Sequence, residues 1–188
     1  MVLKVPEPFE FMVRLQAGDS SIVAGKPLTL RALISPESAA IQSIEWRPPH
    51  LFTIQDTLRQ SLIISQTTNF NVELIDKNGC SAHSNLTVVV EQTNIYIPNA
   101  LKQGSPQDAY FTIYAGEGVK SIAYLRIFSR TGARVFERIN FPPNDPLAGW
   151  NGRWDGEKVQ MGVYLYMADV VMLDGTVQHF EGSVTVLE

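Results

Sequence analysis

Short runs in which apolar and polar side chains alternate, separated by Asn-Gly and Asp-Gly pairs, recur along this chain and constrain its fold more than any other feature. A period of two puts every second side chain on one face of an extended strand. An amphipathic helix of about ten residues instead needs apolar residues three and four apart. No segment meets the helical requirement. The strand-like runs are residues 9–15, 28–34, 62–65, 71–75, 85–90, 110–114, 125–128, 163–172 and 182–186. Asn78-Gly79, Asp155-Gly156 and Asp174-Gly175 supply residues that accept the positive φ of a tight hairpin. Many short strands with frequent turns predict an all-β chain built from antiparallel β-sandwiches, not a parallel sheet.

With 188 residues the chain is long enough for two sandwiches of the immunoglobulin-like kind, each of roughly 100 residues. A polar stretch at residues 91–94, between the run ending at Val90 and the apolar Ile95-Tyr96-Ile97-Pro98, is the place to divide it. The expected domains are therefore 1–92 and 93–188, two immunoglobulin-like sandwiches in tandem, with a linker short enough to restrict the angle between them. Hydrophobic residues make up 45% of the chain and the formal net charge is −4, which argues against a disordered tail and against attraction to nucleic acid. Cys80 is the single cysteine, so an internal disulfide and Cys-rich metal clusters are excluded. No apolar run approaches the roughly 18–20 residues of a membrane-spanning helix. The first residues lack signal-peptide organisation, so a secreted parent is expected to carry its leader upstream.

In the first half, Ile44-Glu45-Trp46 alternates in a way that puts Trp46 between the two sheets as the large core side chain. The stretch from Ser65 to Cys80, with its Asp76-Lys77-Asn78-Gly79-Cys80 turn, followed by Leu86-Thr87-Val88-Val89-Val90, resembles the last three strands of a polycystic-kidney-disease-type module. In that family the cysteine sometimes pairs with one in an earlier loop. Here the loop at Pro48-Pro49-His50 offers none, so Cys80 is expected to be a free, structural thiol. The resemblance implies a spacer that holds another domain away from the cell surface.

The second half carries six blocks in order: Ile95-Tyr96-Ile97-Pro98-Asn99-Ala100, the segment from Ile127 to Glu137, Gly149-Trp150-Asn151-Gly152, Gly162-Val163-Tyr164-Leu165-Tyr166, Asp174-Gly175 and Gly182-Ser183-Val184-Thr185-Val186. Together they resemble the gliding-motility-associated C-terminal domain of Bacteroidetes, a type IX secretion sorting domain of the branch called type B. The motif positions are Pro98, Asn99, Phe128, Arg130, Gly132, Phe136, Trp150, Gly152, Gly162, Tyr164 and Gly182. What the resemblance implies is a sandwich of seven or eight strands, read as an export signal by an outer-membrane barrel of the type IX apparatus. It also implies cargo domains upstream in the same chain and a location at the cell surface or outside the cell. The residues themselves give a reason for the blocks. Arg130-Thr131-Gly132 and Asn151-Gly152 suit tight connections, while Phe128, Val135, Phe136, Tyr164 and Tyr166 alternate onto sheet faces.

Two departures from the family pattern stand out. Its acidic, glycine-rich loop is replaced by residues 101–108, which keep only Asp108 as a carboxylate for a hard cation. Thr131 stands where the family usually has tryptophan, a residue suited to anchoring a partner.

Patterns that carry chemistry are sparse. His50, His83 and His179 are far apart and show no metal-ligand spacing. There is no nucleophile elbow and no phosphate-binding glycine loop. Asp145, Asp155, Asp169 and Asp174 are the carboxylates a glycosidase would need as a pair about 5–9 Å apart, but Asp155 and Asp174 precede glycine and read as turn residues. Trp150 falls in a family block and reads as core, which leaves Trp154 as the residue for stacking on a sugar. Asp56-Thr57-Leu58 matches a short bacterial O-glycosylation pattern. The sequence thus predicts a non-catalytic sorting and surface-attachment region with no cofactor or metal, a monomer in isolation, docking by strand edges and loops around residues 182–186. A glycan-binding adhesin is the alternative, and a glycosidase fragment ranks third.

Overall fold

A computed structural model of the chain describes residues 10–104 and 110–188. The start of the first expected strand, Phe9, and the residual carboxylate Asp108 lie outside the described residues. The chain divides into two compact units, one comprising residues up to 22 together with 26–91, the other residues 23–25 together with 92–188.

The first unit is a two-sheet sandwich. Its strands are β1 (Met12–Ala17), β2 (Ser21–Val23), β3 (Pro27–Ser35), β4 (Ile41–Arg47), β5 (Arg59–Ile63), β6 (Thr68–Asp76) and β7 (Ser81–Glu91). One sheet has the order β1-β3-β5 and the other β2-β7-β6-β4. Alternation sets the inner faces: Leu28, Leu30 and Ala32 are buried along β3, as are Phe70, Val72 and Leu74 along β6. Trp46 has no exposed surface; its ring centroid lies 5.3 Å from that of Phe52, and its Nε1 donates to the Thr57 carbonyl at 2.9 Å. A buried indole thus keeps both its apolar contacts and its one polar atom satisfied.

The turn between β6 and β7 is built by Asp76. Its Oδ1 accepts from the backbone N–H groups of Asn78 (2.9 Å) and Cys80 (2.8 Å), and Gly79 takes φ +84°. A carboxylate that satisfies turn amides in this way can be buried without a counter-charge. Cys80 itself is a free thiol, exposed at the surface.

The second unit is organised on β11 (Val119–Phe128), β12 (Arg134–Phe141), β15 (Gly162–Met172) and β16 (Val177–Leu187), with the shorter β8 (Ile95–Tyr96), β9 (Ala100–Lys102), β10 (Tyr114–Ala115), β13 (Arg153–Trp154) and β14 (Glu157–Lys158). The main sheet has the order β12-β11-β15-β16-β9, with β9 parallel to β16 and the other pairs antiparallel. Its inner face buries Val119, Ile122, Leu125 and Ile127 from β11, Ala168, Val170 and Met172 from β15, and Val184 and Val186 from β16. The buried positions of β11 start three apart, and the register shifts at Val119/Ser121 and Ile122/Tyr124 against β15 reconcile that spacing with a strand. This is why only residues 125–128 look strand-like by period.

The opposite layer is made of short pieces. Residues 110–114, expected as one strand, form only a bridge from Phe111 to Trp150 before β10 begins at Tyr114. Phe111, Thr112 and Ile113 are all fully buried, so the segment packs on every side instead of alternating. The replaced family loop also begins in regular structure, since Leu101 is fully buried in β9.

Candidate functional site

The motif positions fall into two groups. The first holds the second unit together. Trp150 is fully buried, its Nε1 donates to the Arg153 carbonyl at 2.9 Å, and its backbone exchanges hydrogen bonds with Phe111 at 2.7 and 2.9 Å. Tyr164 packs on Trp150 with centroids 5.2 Å apart and donates its hydroxyl to the Gln160 carbonyl at 2.9 Å. Gly152 takes φ +73°, and a Cβ there would stand 2.9 Å from Leu101 Cδ2, so both its conformation and its close approach require glycine. Gln103 closes the same corner by donating to the carbonyls of Gly152 (2.9 Å) and Val159 (3.1 Å). Phe136 packs half-buried against the core. Pro98 is half-buried and Asn99 is exposed, with the Asn99 carbonyl accepting from the Thr185 N–H at 2.9 Å at the start of the β9–β16 pairing.

The second group opens onto the outer face of the main sheet. Phe128, Arg130, Gly132 and Gly182 line a groove of about 670 Å³ together with Leu165, Met167 and neighbouring residues. Register accounts for the gathering, because Phe128 stands opposite Leu165 on β15 and Leu165 opposite Ser183 on β16. Gly162 lies beneath the Arg130 side chain, whose Nη2 is 3.1 Å from where a Cβ would stand. Leu165, Met167 and Val163 leave 55%, 44% and 38% of their surface exposed, an apolar stripe on a face that a solitary domain normally makes polar. Thr131 is exposed in the turn beside the groove, its hydroxyl 2.9 Å from that of Ser129.

A polar ladder crosses the same face. Arg134 Nη1 lies 2.8 Å from Glu137 Oε2, and Arg126 Nε donates to Glu137 Oε1 at 2.6 Å. The Arg126 guanidinium sits 4.4 Å from the Tyr124 ring centroid, and His179 Nδ1 lies 2.7 Å from Asp169 Oδ1. The hydrogen bond from Arg126, followed by the charge of Arg134, holds Glu137 below its ordinary value, while a hydrogen bond to the Asp169 carboxylate holds the Tyr124 phenol above its own. The ladder thus joins two hairpins, β11–β12 and β15–β16, that lie apart in sequence.

The other candidates are dispersed. Asp145 caps a short 3-10 turn by accepting from the Leu147 N–H at 3.0 Å. Asp155 and Gly156, with φ of +50° and +85°, form the β13–β14 hairpin turn. Asp174 accepts from the Thr176 N–H and hydroxyl at 3.0 and 2.7 Å, which lowers its pKa. Asp169 belongs to the ladder, so each of these carboxylates has a local structural partner. Among the described residues no group of three or more His, Cys, Asp or Glu is placed to hold a metal ion. Trp154 is 48% exposed on β13, apart from Tyr164 and Tyr166, which pack inward. A second aromatic pair escaped the sequence reading: Tyr96 is 63% exposed and its ring centroid lies 6.2 Å from that of Tyr114. Nothing local marks this pair, since only the pairing of β8 with β10 brings the two rings together. Thr57 donates its hydroxyl to the Arg59 carbonyl at 2.8 Å, so the glycosylation pattern falls on an engaged side chain.

Among solved structures, the chain is similar to three N-terminal domains of the bacteriophage RB49 Highly Immunogenic Outer Capsid protein, at 13% identity and a TM-score of 0.43, covering 94% of this chain and 59% of that one. It is also similar to dimeric latent PorU from Porphyromonas gingivalis, at 15% identity and a TM-score of 0.35, covering 99% of this chain and 21% of that one. The fibronectin(III)-like modules of Clostridium thermocellum CbhA give 10% identity and a TM-score of 0.32, with coverage of 92% and 93%. The sandwich architecture follows from strand order and from the buried inner faces of the sheets. No curated protein matches the sequence. The family model of the CHU_C type IX secretion signal domain matches residues 91–186, more than half of the chain and the span that holds every motif position above. The chain belongs to the CHU_C family of type IX secretion signal domains.

Proposed function

We propose that this chain is the sorting and surface-attachment region of a larger exported protein, in which residues 93–188 are the address and residues 1–92 a polycystic-kidney-disease-like spacer. The observation that carries the reading is the family match over residues 91–186. A signal of this kind acts by being recognised. The apolar groove beside Phe128, Leu165 and Met167 supports protein recognition, because such a surface gains by being covered. The partner is an outer-membrane barrel component of the secretion apparatus, and the cargo lies upstream in the same polypeptide. No step of catalysis is assigned to the chain: Asp145, Asp155, Asp169 and Asp174 serve a cap, two turns and the ladder. The test is surface fluorescence of a reporter fused ahead of the full chain, compared with one fused ahead of residues 1–92 alone. Export of the first and retention of the second is expected; equal export of both contradicts the reading.

Glycan binding is the second reading, favoured by the exposed Trp154 and by the Tyr96–Tyr114 pair. Aromatic faces of this kind stack on sugar rings. Binding on a glycan array that is lost in Trp154→Ala or Tyr96→Ala is the expected result under this reading, and an array without signal removes it.

A further inference from the structure

We propose that the open edge of β16 between His179 and Ser183 receives an extended strand of the partner polypeptide, continuing the main sheet by strand addition. The proposal rests on the sorting function above and names the surface that performs it. β9 covers β16 only at Thr185, Val186 and Leu187. The Thr185 N–H donates to Asn99 and the Leu187 carbonyl accepts from Gln103, so odd-numbered residues direct their backbone groups toward this edge while even-numbered ones face β15. The groups of His179, Glu181 and Ser183 consequently point outward, and no strand pairs with them among the described residues.

Natural sheets blunt such edges with lysine, proline, bulges or short length. Along residues 177–183 β16 carries a single carboxylate, Glu181, and none of the other devices, and with 11 residues it is a long strand. Residues 177–186 pair with β15 in unbroken register, and residues 177–183 contain neither proline nor lysine. The opposite edge differs: β12 carries Arg134 and Arg138, its pairing with β11 shifts at Ile127/Phe128, and Asn140 takes φ +49°. One edge is defended and the other is left available.

The neighbourhood defines the occupant. Glu181 is exposed and belongs to no ion pair among the described residues, so a basic residue in the incoming strand is complementary to it. Glu181, Gly182 and Ser183 also form one wall of the groove that holds Leu165 and Met167, which offers an apolar seat next to the charge. The fitting partner is thus an extended segment of about five to seven residues with alternating apolar side chains and a basic residue, bound through its main chain.

The test uses the full chain fused to a fluorescent reporter in a host with type IX machinery. Glu181→Pro removes only an outward N–H, so the ladder to β15 stays complete while the edge is blocked. Glu181→Lys keeps the amide and reverses the charge, and it carries the test if the proline variant does not melt cooperatively. Surface display is expected to fall by about tenfold or more in each folded variant, as loss of edge hydrogen bonds and of a charge contact implies. Ile139→Lys, on the defended edge, is expected to stay within about twofold of the unaltered chain. Unchanged display in folded Glu181→Lys and Glu181→Pro, or an equal loss in Ile139→Lys, overturns strand addition at β16 while leaving the sorting function in place. Absence of display from the unaltered chain overturns both.

Discussion

The phenol ring of Tyr166 lies across Gly182 on the neighbouring strand: a Cβ on Gly182 would stand 2.8 Å from the Tyr166 hydroxyl and 2.9 Å from Cε1 and Cζ. Tyr166 has little room to retreat, because its ring centroid is 5.3 Å from that of Phe111, which is fully buried. Gly182→Ala is therefore expected to destabilise the second unit by about 1–3 kcal/mol through overpacking. Urea denaturation of the two proteins checks this, and Gly182→Ala combined with Tyr166→Leu is expected to recover part of the loss.

Trp46 is the corresponding anchor of the first unit. Trp46→Ala is expected to cost about 3–5 kcal/mol, the range for removing a buried aromatic side chain. Trp46→Phe keeps much of the apolar contact but leaves the Thr57 carbonyl without its 2.9 Å donor, and a smaller loss of about 1–3 kcal/mol is expected. Equal losses in the two variants would show that the hydrogen bond, and not packing, dominates.

The ladder on the outer face gives the second unit a pH signature. Glu137 has a folded pKa lowered by Arg126 and Arg134, so its stabilising contribution is present above the ordinary carboxylate value and is lost as pH falls through the lowered one. Tyr124 has a folded pKa raised by its hydrogen bond to Asp169. Its contribution is present below about pH 10, the ordinary phenol value, and is lost as pH rises through the raised one. Denaturation midpoints measured across pH are expected to lose part of their acid slope in Glu137→Gln and part of their alkaline slope in Tyr124→Phe. Because the pairs lie at the surface, both effects are expected to shrink in high salt.

Trp154 supplies a contrast. Half-exposed on a two-stranded hairpin, it is expected to tolerate Trp154→Ala within about 0.5 kcal/mol, as surface positions usually do. A thermal melt resolves this. A loss as large as that of Trp46→Ala would mean that the hairpin is packed more tightly than its exposure indicates.

What was legible in the sequence is what depends on local pattern. The alternation over residues 163–172 marks β15, and Asp155-Gly156 marks a hairpin turn whose two residues both adopt positive φ. Legibility fails where tertiary contacts override the period. β11 hides its first half behind register shifts, and Phe111, Thr112 and Ile113 are buried consecutively because they fill the layer opposite the main sheet. Leu101 reads as part of a divergent loop and instead sits in the core through a three-residue parallel strand. The groove was out of reach for the same reason. Phe128, Leu165 and Gly182 come from three strands, and only the register between them makes a surface. The final strand shows both limits at once: residues 182–186 alternate legibly, whereas the open edge at His179–Ser183 follows from how little of β16 is covered by β9.

Export itself decides whether this chain acts as an address. A fluorescent reporter fused ahead of the full chain is to be followed in two strains of one host, alike except for the type IX machinery, with surface signal measured on intact cells. Reporter at the surface only in the strain that has the machinery is the expected result. Reporter held in the periplasm of both strains, or displayed equally by both, would contradict a sorting role for this chain.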